Sequence, residues 1–537
     1  MSESRPGIVL TGLPGSGKSV VGACVAEMLG LPFVDMDTEI ERRTGRSPAD
    51  HIRRDGEASF RALERTVVGE ACAVAGAVIA AGGGASLDPL NRWAFMEHGV
   101  RVRLDAPLDV LTQRLEADGV VRPLLGTDIG AGLERTARER ASVYAAADVA
   151  VDSLAEPAGV AAEIVATVER FDPAASWRVL YENAYPRHHP VGPGSGRLLM
   201  GAGLTRAAVE DALAPFAGRT PAVVGDARAI AALPDLADAL PAGRRLLLRA
   251  GESVKTFARL RAVLAWLAEE RAERGDPLLA VGGGTIGDLA GLASALHRRG
   301  MPLVNVPTTW LAQADSAIGG KVAVDLPGAK NGVGTVWPAW LILSDVRALA
   351  TLPRRQRRDG LVESLKAGLI GDPELWALVE GRGRGALNGT DPAAVHAITE
   401  RAARVKLAIV ERDPYEEGER RVLNLGHTIG HALEVVSRYR LAHGVAVALG
   451  LRAVATIAAG RGAEPDLPGR IDTLLNQLGL PLRRRFDAGA VEAALGSDKK
   501  RSCGRQRWIL PMAVGRVAEV DDVSPGELAA ALRAISA

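Results

Sequence analysis

"GLPGSGKS", residues 12–19, follows the apolar run "IVL" at 8–10 and opens a helical pattern at 18–29. In "KSVVGACVAEML", Val21, Cys24, Val25, Met28 and Leu29 recur at helical spacing. The octapeptide matches G-x-x-x-x-G-K-[ST] with a strand before it and a helix after it, the context that gives this motif its meaning. Glycines let backbone N–H groups close around phosphate oxygens, and a helix N-terminus adds partial positive charge. Gly12, Gly15, Ser16 and Gly17 would form the cradle. Lys18 would reach the β- and γ-phosphates of ATP, and Ser19 would ligate Mg2+.

Outward from that motif, short apolar runs alternate with helical patterns. "VIAA" (78–81) and "VRVRL" (100–104) read as further strands, so residues 1–171 should form a parallel sheet with helices on both faces. "ERFDPAASW" (169–177) breaks the pattern and places a linker at 172–177. A second α/β region, 178–344, carries strands at "PAVVG" (221–225), "RRLLLRA" (244–250), "PLLAV" (277–281) and "PLVNV" (302–306). Residues 345–537 read as mostly helical, for instance in "AVHAITERAARVKLAIVE" and "GELAAALRAI" (526–535).

The 537 residues exceed one ordinary core and fit two to four domains. A net charge of +1 offers no basic field for nucleic acid or an anionic membrane. Cys24, Cys72 and Cys503 form no CxxC pair, which suits a reducing cytoplasm and excludes a cysteine zinc ribbon. "MSESRPG" carries no apolar signal region. The uncharged stretch 71–87 reads as a helix end, a buried strand and a glycine loop, not a membrane span.

The first half has further candidates for chemistry. "FVDMDTEIE" (33–41) reads as a strand, on which Asp35 and Asp37 would share one face, one toward metal and one toward a substrate hydroxyl. In "GEASFRALE" (56–64), Arg61 and Glu64 are three apart on one helix face, so Glu64 can orient the guanidinium. "AAGGGAS" (80–86) offers bare backbone to a ligand, and "DGVVRPLLGTD" (118–128) has the make-up of a lid. With "RASVY", these pieces stand in the order found in shikimate kinases, which residues 1–170 resemble. The resemblance implies that Asp37 meets the shikimate hydroxyls and acts as, or assists, the base, while Arg61 and Arg140 hold the carboxylate. It also implies that Gly82, Gly83 and Gly84 line the same pocket and that Asp35 helps to hold Mg2+. Arg122 would close over the transferring phosphoryl group, and Arg114 would stack on adenine.

In the second half, "PLLAVGGGTIGDLAGLASAL" (277–296) is strand, glycine turn and helix, a seat for a pyrophosphate at Gly283 and Gly284. The stretch 306–334, with Thr308, Thr309, Asp315, Lys321, Lys330 and Asn331 among glycines, reads as a polar loop able to fold around a nucleotide or a phosphorylated substrate. His427 and His431 are four apart in "LNLGHTIGHALE" (423–434), the spacing of a zinc pair, with His443 or a carboxylate from elsewhere as third ligand.

"GESVKT" (251–256), "DGLVESLKAGLI" (359–370), "LAHGVAVALGL" (441–451) and "SDKK" (497–500), with the stretches above, resemble 3-dehydroquinate synthases over 178–537. The resemblance implies a divalent metal, zinc or cobalt, on Glu363, His427 and His443, and it moves His431 into the substrate pocket. It implies that Lys321, Lys366, Lys406, Arg420, Asn424, His431 and Lys500 (or Lys499) anchor substrate phosphate and carboxylate. NAD+ would meet Asp226, Glu252, Lys255, Gly283, Gly284, Asp288, Thr308, Thr309, Asp315, Lys321, Lys330 and Asn331. Trp310, Ala317 and His297 depart from residues usual in that family. The expected whole is a cytoplasmic two-enzyme fusion acting on small molecules, with room for a homodimer through the synthase half. Its rivals are a different sugar-phosphate cyclase in the second half, or a first half that only regulates through nucleotide.

Overall fold

The computed structural model describes residues 6–537 apart from 119–124, 127, 146, 172–177, 182–195, 204–208, 211–212, 327–328, 497–500 and 503–504. The linker residues 172–177, Arg122, Lys499, Lys500 and Cys503 therefore lie outside the described residues. The chain forms two compact units, Met1–Asn183 and Ala184–Ala537.

The first unit is built on five parallel strands: β1 (Gly7–Thr11), β2 (Phe33–Asp35), β3 (Val78–Ala80), β4 (Gly99–Asp105) and β5 (Val149–Asp152), in the order β2-β3-β1-β4-β5. Side chains alternate across a strand, and β1 shows what that does when both faces are covered. Ile8 and Leu10 join one core with Val21, Val25, Val160 and Ile164 from the helices Lys18–Leu29 and Pro157–Arg170. Val9, between them, points into the opposite core with Met36, Ile40, Phe60 and Phe95. All three are essentially inaccessible to water, so replacing one by alanine costs about 2–5 kcal/mol.

The expected strand over 33–41 stops at Asp35. The Asp35 carboxylate accepts from the Thr38 N–H at 3.0 Å and caps a helix, Met36–Thr44. A short polar side chain that bonds its own backbone competes with strand extension, and here it wins. Asp35 and Asp37 therefore do not share a strand face.

The second unit contains β6 (Arg178–Tyr181), β7 (Arg197–Gly201), β8 (Ala222–Asp226), β9 (Arg244–Leu248), β10 (Leu278–Gly282), β11 (Leu303–Pro307), β12 (Lys321–Leu326), β13 (Ala329–Val336) and β14 (Leu341–Asp345). Seven of these form one sheet in the order β6-β7-β14-β11-β10-β8-β9. The five strands from β14 to β9 and β7 pair in parallel, and β8, β10 and β11 are buried along their whole length. β12 and β13 pair with each other in an antiparallel hairpin, where the sequence reads as a loop. Val322 and Val324 are the buried alternating residues that make it a strand.

Beyond β14 the chain is mainly helical, with a short hairpin, Trp508–Ala513 against Arg516–Val520. Asp372-Pro373 and Asp391-Pro392 start two long helices in the same way. Each aspartate accepts from the N–H three residues on, Leu375 and Ala394, and each proline fills the first helical position. The helix Arg354–Gly371 is buried from Gly360 to Ile370, and that run includes Glu363 and Lys366. Charges that deep must be paired, so their presence marks a polar site inside the bundle.

Candidate active sites

In the first unit, the turn after β1, the end of β2 and the loop after β3 meet at the carboxyl edge of the sheet, where open α/β sheets bind ligands. They enclose a cavity of about 580 Å3. Gly15, Gly17, Lys18 and Ser19 line one part of it. Gly17 starts the helix Lys18–Leu29 at φ 88°, a left-handed conformation that a Cβ would disfavour. Lys18 Nζ donates to the carbonyls of Gly12 and Leu13 at 3.0 and 3.1 Å, which holds the ammonium over the loop. Arg114 lines the same side and donates to the Ser153 carbonyl at 2.7 Å.

Asp35, Asp37, Arg61, Gly83, Gly84 and Arg140 line the rest. Arg61 donates to Glu64 at 2.7 Å and to Glu57 at 3.0 Å. Burial works against the Arg61 cation, but the two glutamates outweigh it and raise its pKa. Burial pushes Glu64 above the usual carboxylate range, with Arg61 opposing. A Cβ on Gly84 would fall 2.4 Å from the Arg61 guanidinium, so glycine leaves the space that the arginine uses. Arg140 donates to the Gly83 carbonyl, and the buried Tyr144 hydroxyl donates to the same oxygen at 2.6 Å. Tyr144 was not singled out from sequence, although it ends the "RASVY" stretch. Gly82 is not on the cavity wall but packs beside Asp37, and Ser16 is fully buried within the loop.

In the second unit, a cavity of about 880 Å3 runs from the carboxyl edge of the sheet to three histidines. Asp226, Glu252, Lys255, Gly283, Gly284 and Asp288 line it, with Thr309, Asp315, Lys330 and Asn331. Asp226 accepts from the Arg228 and Ala250 N–H groups at 3.1 and 3.4 Å. Lys255 pairs with Asp288 at 2.6 Å and also donates to Asn331 on the hairpin. Burial raises the Asp288 pKa, with Lys255 opposing. Of the expected NAD+ residues, Thr308, which is buried, and Lys321 do not line the cavity.

At the far end, Glu363, His427 and His443 offer ligand atoms within 4.8 Å of one another. His427 Nε2 and His443 Nε2 lie 3.4 and 3.0 Å from the same oxygen, Glu363 Oε1. His431 lines the cavity with its ring 5.1 Å from that of His427, outside the three-residue cluster. The i, i+4 spacing thus does not mark the cluster that the fold assembles, which is the set that the resemblance implies. One carboxylate and two imidazoles, nearly all buried, fit a divalent ion with an open coordination position. Burial and the Lys366 cation lower the His427 pKa, whereas Glu363 and Glu434 raise that of His443 to about 10 against burial. Burial pushes Glu363 up, but Lys366 and the histidines outweigh it and hold the carboxylate well below its usual range.

The residues that the resemblance names as anchors make polar contacts of their own, and Lys321, Lys366, Lys406, Arg420 and Asn424 are not on the cavity wall. Lys366 pairs with Glu363 at 2.5 Å and Lys406 with Asp315 at 2.8 Å. Burial lowers the Lys406 pKa despite Asp315, whereas Glu363 and Asp315 raise that of Lys366 against burial. Arg420 donates to the Gly319 carbonyl at 2.9 Å. Lys321 and Asn424 both engage Glu416, the asparagine at 2.9 Å. Glu416 carries no sequence signal of its own. Of the residues departing from family habit, Trp310 is fully buried in the helical core, Ala317 is buried, and His297 meets the Ala272 carbonyl at 3.0 Å.

These two sites define a P-loop phosphotransferase joined to an α/β-and-helical lyase. Residues 14–169 match the family model of shikimate kinase, 245–359 that of the 3-dehydroquinate synthase N-terminal part, and 360–501 that of its C-terminal part. The 3-dehydroquinate synthase of Symbiobacterium thermophilum is 40% identical over 295 residues, 54% of this chain and 82% of that one. Among solved structures, the 2-epi-5-epi-valiolone synthase ValA of Streptomyces hygroscopicus, with NAD+ and Zn2+ bound, is 30% identical at a TM-score of 0.58. That match covers 65% of this chain and 98% of the other. A 2-deoxy-scyllo-inosose synthase with carbaglucose-6-phosphate, NAD+ and Co2+ is 27% identical at 0.53, covering 60% and 91%. The chain belongs to the 3-dehydroquinate synthase family and carries a shikimate kinase domain ahead of it, a fusion of two shikimate-pathway activities. Among the described residues no helix is long and apolar enough to cross a membrane.

Proposed function

We propose that the first unit phosphorylates shikimate to shikimate 3-phosphate, and that the second converts 3-deoxy-D-arabino-heptulosonate 7-phosphate to 3-dehydroquinate and phosphate. The observation that carries the kinase reading is the pair Arg61 and Arg140 on the wall of the P-loop cavity. Two cations there suit a carboxylate substrate, which a purely regulatory nucleotide site does not need. The P-loop amides and Lys18 hold the phosphates of ATP, and Asp37 takes the proton from the attacking hydroxyl. Glu57, Glu64 and Tyr144 act on the clamp, the glutamates by fixing Arg61 and the tyrosine by sharing the carbonyl that holds Arg140. Ser19 and Asp35 would hold Mg2+, and Arg122 would cover the transferring group.

For the synthase, the carrying observation is a three-ligand cluster at one end of a cavity whose other end is a glycine turn at a helix start. When bound, a zinc or cobalt ion on Glu363, His427 and His443 supplies Lewis acidity, and NAD+ supplies reversible hydride chemistry. Asp226 would accept a ribose hydroxyl, and Gly283 and Gly284 would seat the pyrophosphate. Lys255, Asp288, Lys330 and Asn331 would orient the rest of the nucleotide. Lys321, Lys366, Lys406, Arg420, Asn424, His431 and Lys500 would anchor substrate phosphate and carboxylate. The functional limits are 1–171 for the kinase, 178–344 for the nucleotide-binding part and 345–537 for the metal and substrate part, with 172–177 as linker. Both activities are assigned to the cytoplasm, and the synthase half has room for a homodimer.

The similarity to a 2-epi-5-epi-valiolone synthase supports a second reading, another sugar-phosphate cyclase. Product analysis by NMR separates the two. Purified protein given 3-deoxy-D-arabino-heptulosonate 7-phosphate should make 3-dehydroquinate, and a phosphorylated sugar without the carboxylate should turn over at least tenfold more slowly, because the buried cations lose their carboxylate partner (roughly 1.4 kcal/mol per decade). Preferential turnover of the sugar without the carboxylate would establish the second reading instead.

A further inference from the structure

Glu434 has no role in the reading above, yet it is 4% exposed and its carboxylate sits against a proposed metal ligand. It lies on the helix His427–Val436, seven residues after His427 and so on the same face. Glu434 Oε1 is 3.2 Å from His443 Nδ1, while Glu363 Oε1 is 3.0 Å from His443 Nε2. The two carboxylates grip opposite edges of one imidazole. His427 shows the same arrangement with a different partner. Its Nδ1 meets the Leu425 carbonyl at 3.1 Å, and its Nε2 faces Glu363. Both rings thus have Nδ1 occupied by an acceptor from behind and Nε2 aimed at one point. Glu363 is an acceptor at Nε2 as well, so the choice is made when Nε2 and Glu363 share an ion: the one N–H of a neutral imidazole then stays with the acceptor at Nδ1, and the Nε2 lone pair is free for the metal.

We propose that Glu434 is a positioning residue for the metal site, holding His443 in the Nδ1–H tautomer and in the ring orientation that directs Nε2 to the ion. This rests on Glu363, His427 and His443 as ligands. A backbone carbonyl does this for His427, and a carboxylate does it for His443, where it also raises the basicity of the ligating nitrogen. Lys330 Nζ, 4.0 Å from Glu434 Oε1, supplies the positive partner beside the His443 N–H, so the buried anion is met on two sides. Lys330 reaches in from the hairpin that lines the nucleotide end of the cavity, so the same carboxylate touches both ends.

The test uses the full chain, stripped of metal by chelation and titrated with Zn2+ against a chromophoric chelator. Glu434→Gln keeps the shape but removes the charge, and Glu434→Asp keeps the charge but withdraws it from Nδ1. Both should weaken Zn2+ binding by ~10–100-fold. Synthase turnover in both should climb back toward wild type as Zn2+ is raised, and Co2+-loaded protein should show a shifted visible spectrum. Wild-type Zn2+ affinity in both variants, even with reduced turnover, would overturn the proposal and leave Glu434 as an ordinary structural residue. The ligand reading is checked separately by His443→Ala. If that variant keeps wild-type affinity, the cluster assignment fails, and this inference with it.

Discussion

Glu363 Oε1 receives two histidines, His427 and His443, and the carboxylate lies 80 residues before the second of them. No spacing rule reaches that far. The i, i+4 geometry favours His427 with His431, and only the resemblance to known synthases points to the set that the fold assembles. Alanine at Glu363, His427 or His443 should leave two protein ligands, too few to hold zinc well. Elemental analysis after dialysis should find those three variants metal-poor. His431→Ala should stay metal-replete while losing a charged hydrogen bond, about 1.5–3 kcal/mol or roughly one to two decades in rate. A metal-free His431→Ala beside a metal-replete His443→Ala would restore the sequence-spaced pair. In the kinase site, Gly84→Ala puts a methyl where Arg61 lies. The arginine tip can swing aside, so stability should change little. The shikimate KM should rise roughly ten- to a hundredfold through the lost charged hydrogen bond, with the KM for ATP unchanged. A parallel rise in both would mean that the loop, not the clamp, had moved.

At the scale of elements, local signals decide what is legible. The phosphate loop is readable because strand, glycines and helix are contiguous, from Gly7 to Leu29. The glycine turn after β10 is readable for the same reason. Asp35 misleads because a capping aspartate and a strand aspartate look alike in sequence; the hydrogen bond to Thr38 decides between them. The hairpin β12–β13 hides because its glycines and charged residues outnumber Val322 and Val324, whose alternation is its one strand signal. Capping is legible where a second residue confirms it. Ser524 and Glu527 form a reciprocal capping box at the helix Pro525–Ile535, and Arg461 grips the same glutamate at 2.6 Å. Arg461 and the Ser524 bonds lower the Glu527 pKa to about 2. Its stabilising contribution should therefore be complete above the ordinary value of 4.5 and vanish as pH falls through about 2. Carboxyl NMR should follow Glu527 titrating near the lower value, and Arg461→Met should return it toward the ordinary one. Titration near the ordinary value in wild type would show that the ion pair does not form in solution.

At the scale of the molecule, two compact units each contain a complete cavity, and the residues assigned to each activity fall within a single unit. Fragments covering 1–171 and 178–537 should each fold and keep one activity at near full-length rates. Loss of folding in both, with the whole chain intact, would make the division wrong. The two steps are not consecutive in their pathway, so passage of product between the sites is not required by the chemistry. The most direct test of one chain with two independent active sites is a crossed inactivation. Lys18→Met and His443→Ala are each assayed for ATP-dependent phosphorylation of shikimate and for phosphate release from 3-deoxy-D-arabino-heptulosonate 7-phosphate. Lys18→Met should abolish only the first activity and His443→Ala only the second, each leaving the other within about twofold of wild type (under ~0.5 kcal/mol). Loss of both activities in Lys18→Met would contradict the account and make the P-loop a regulatory site for the synthase.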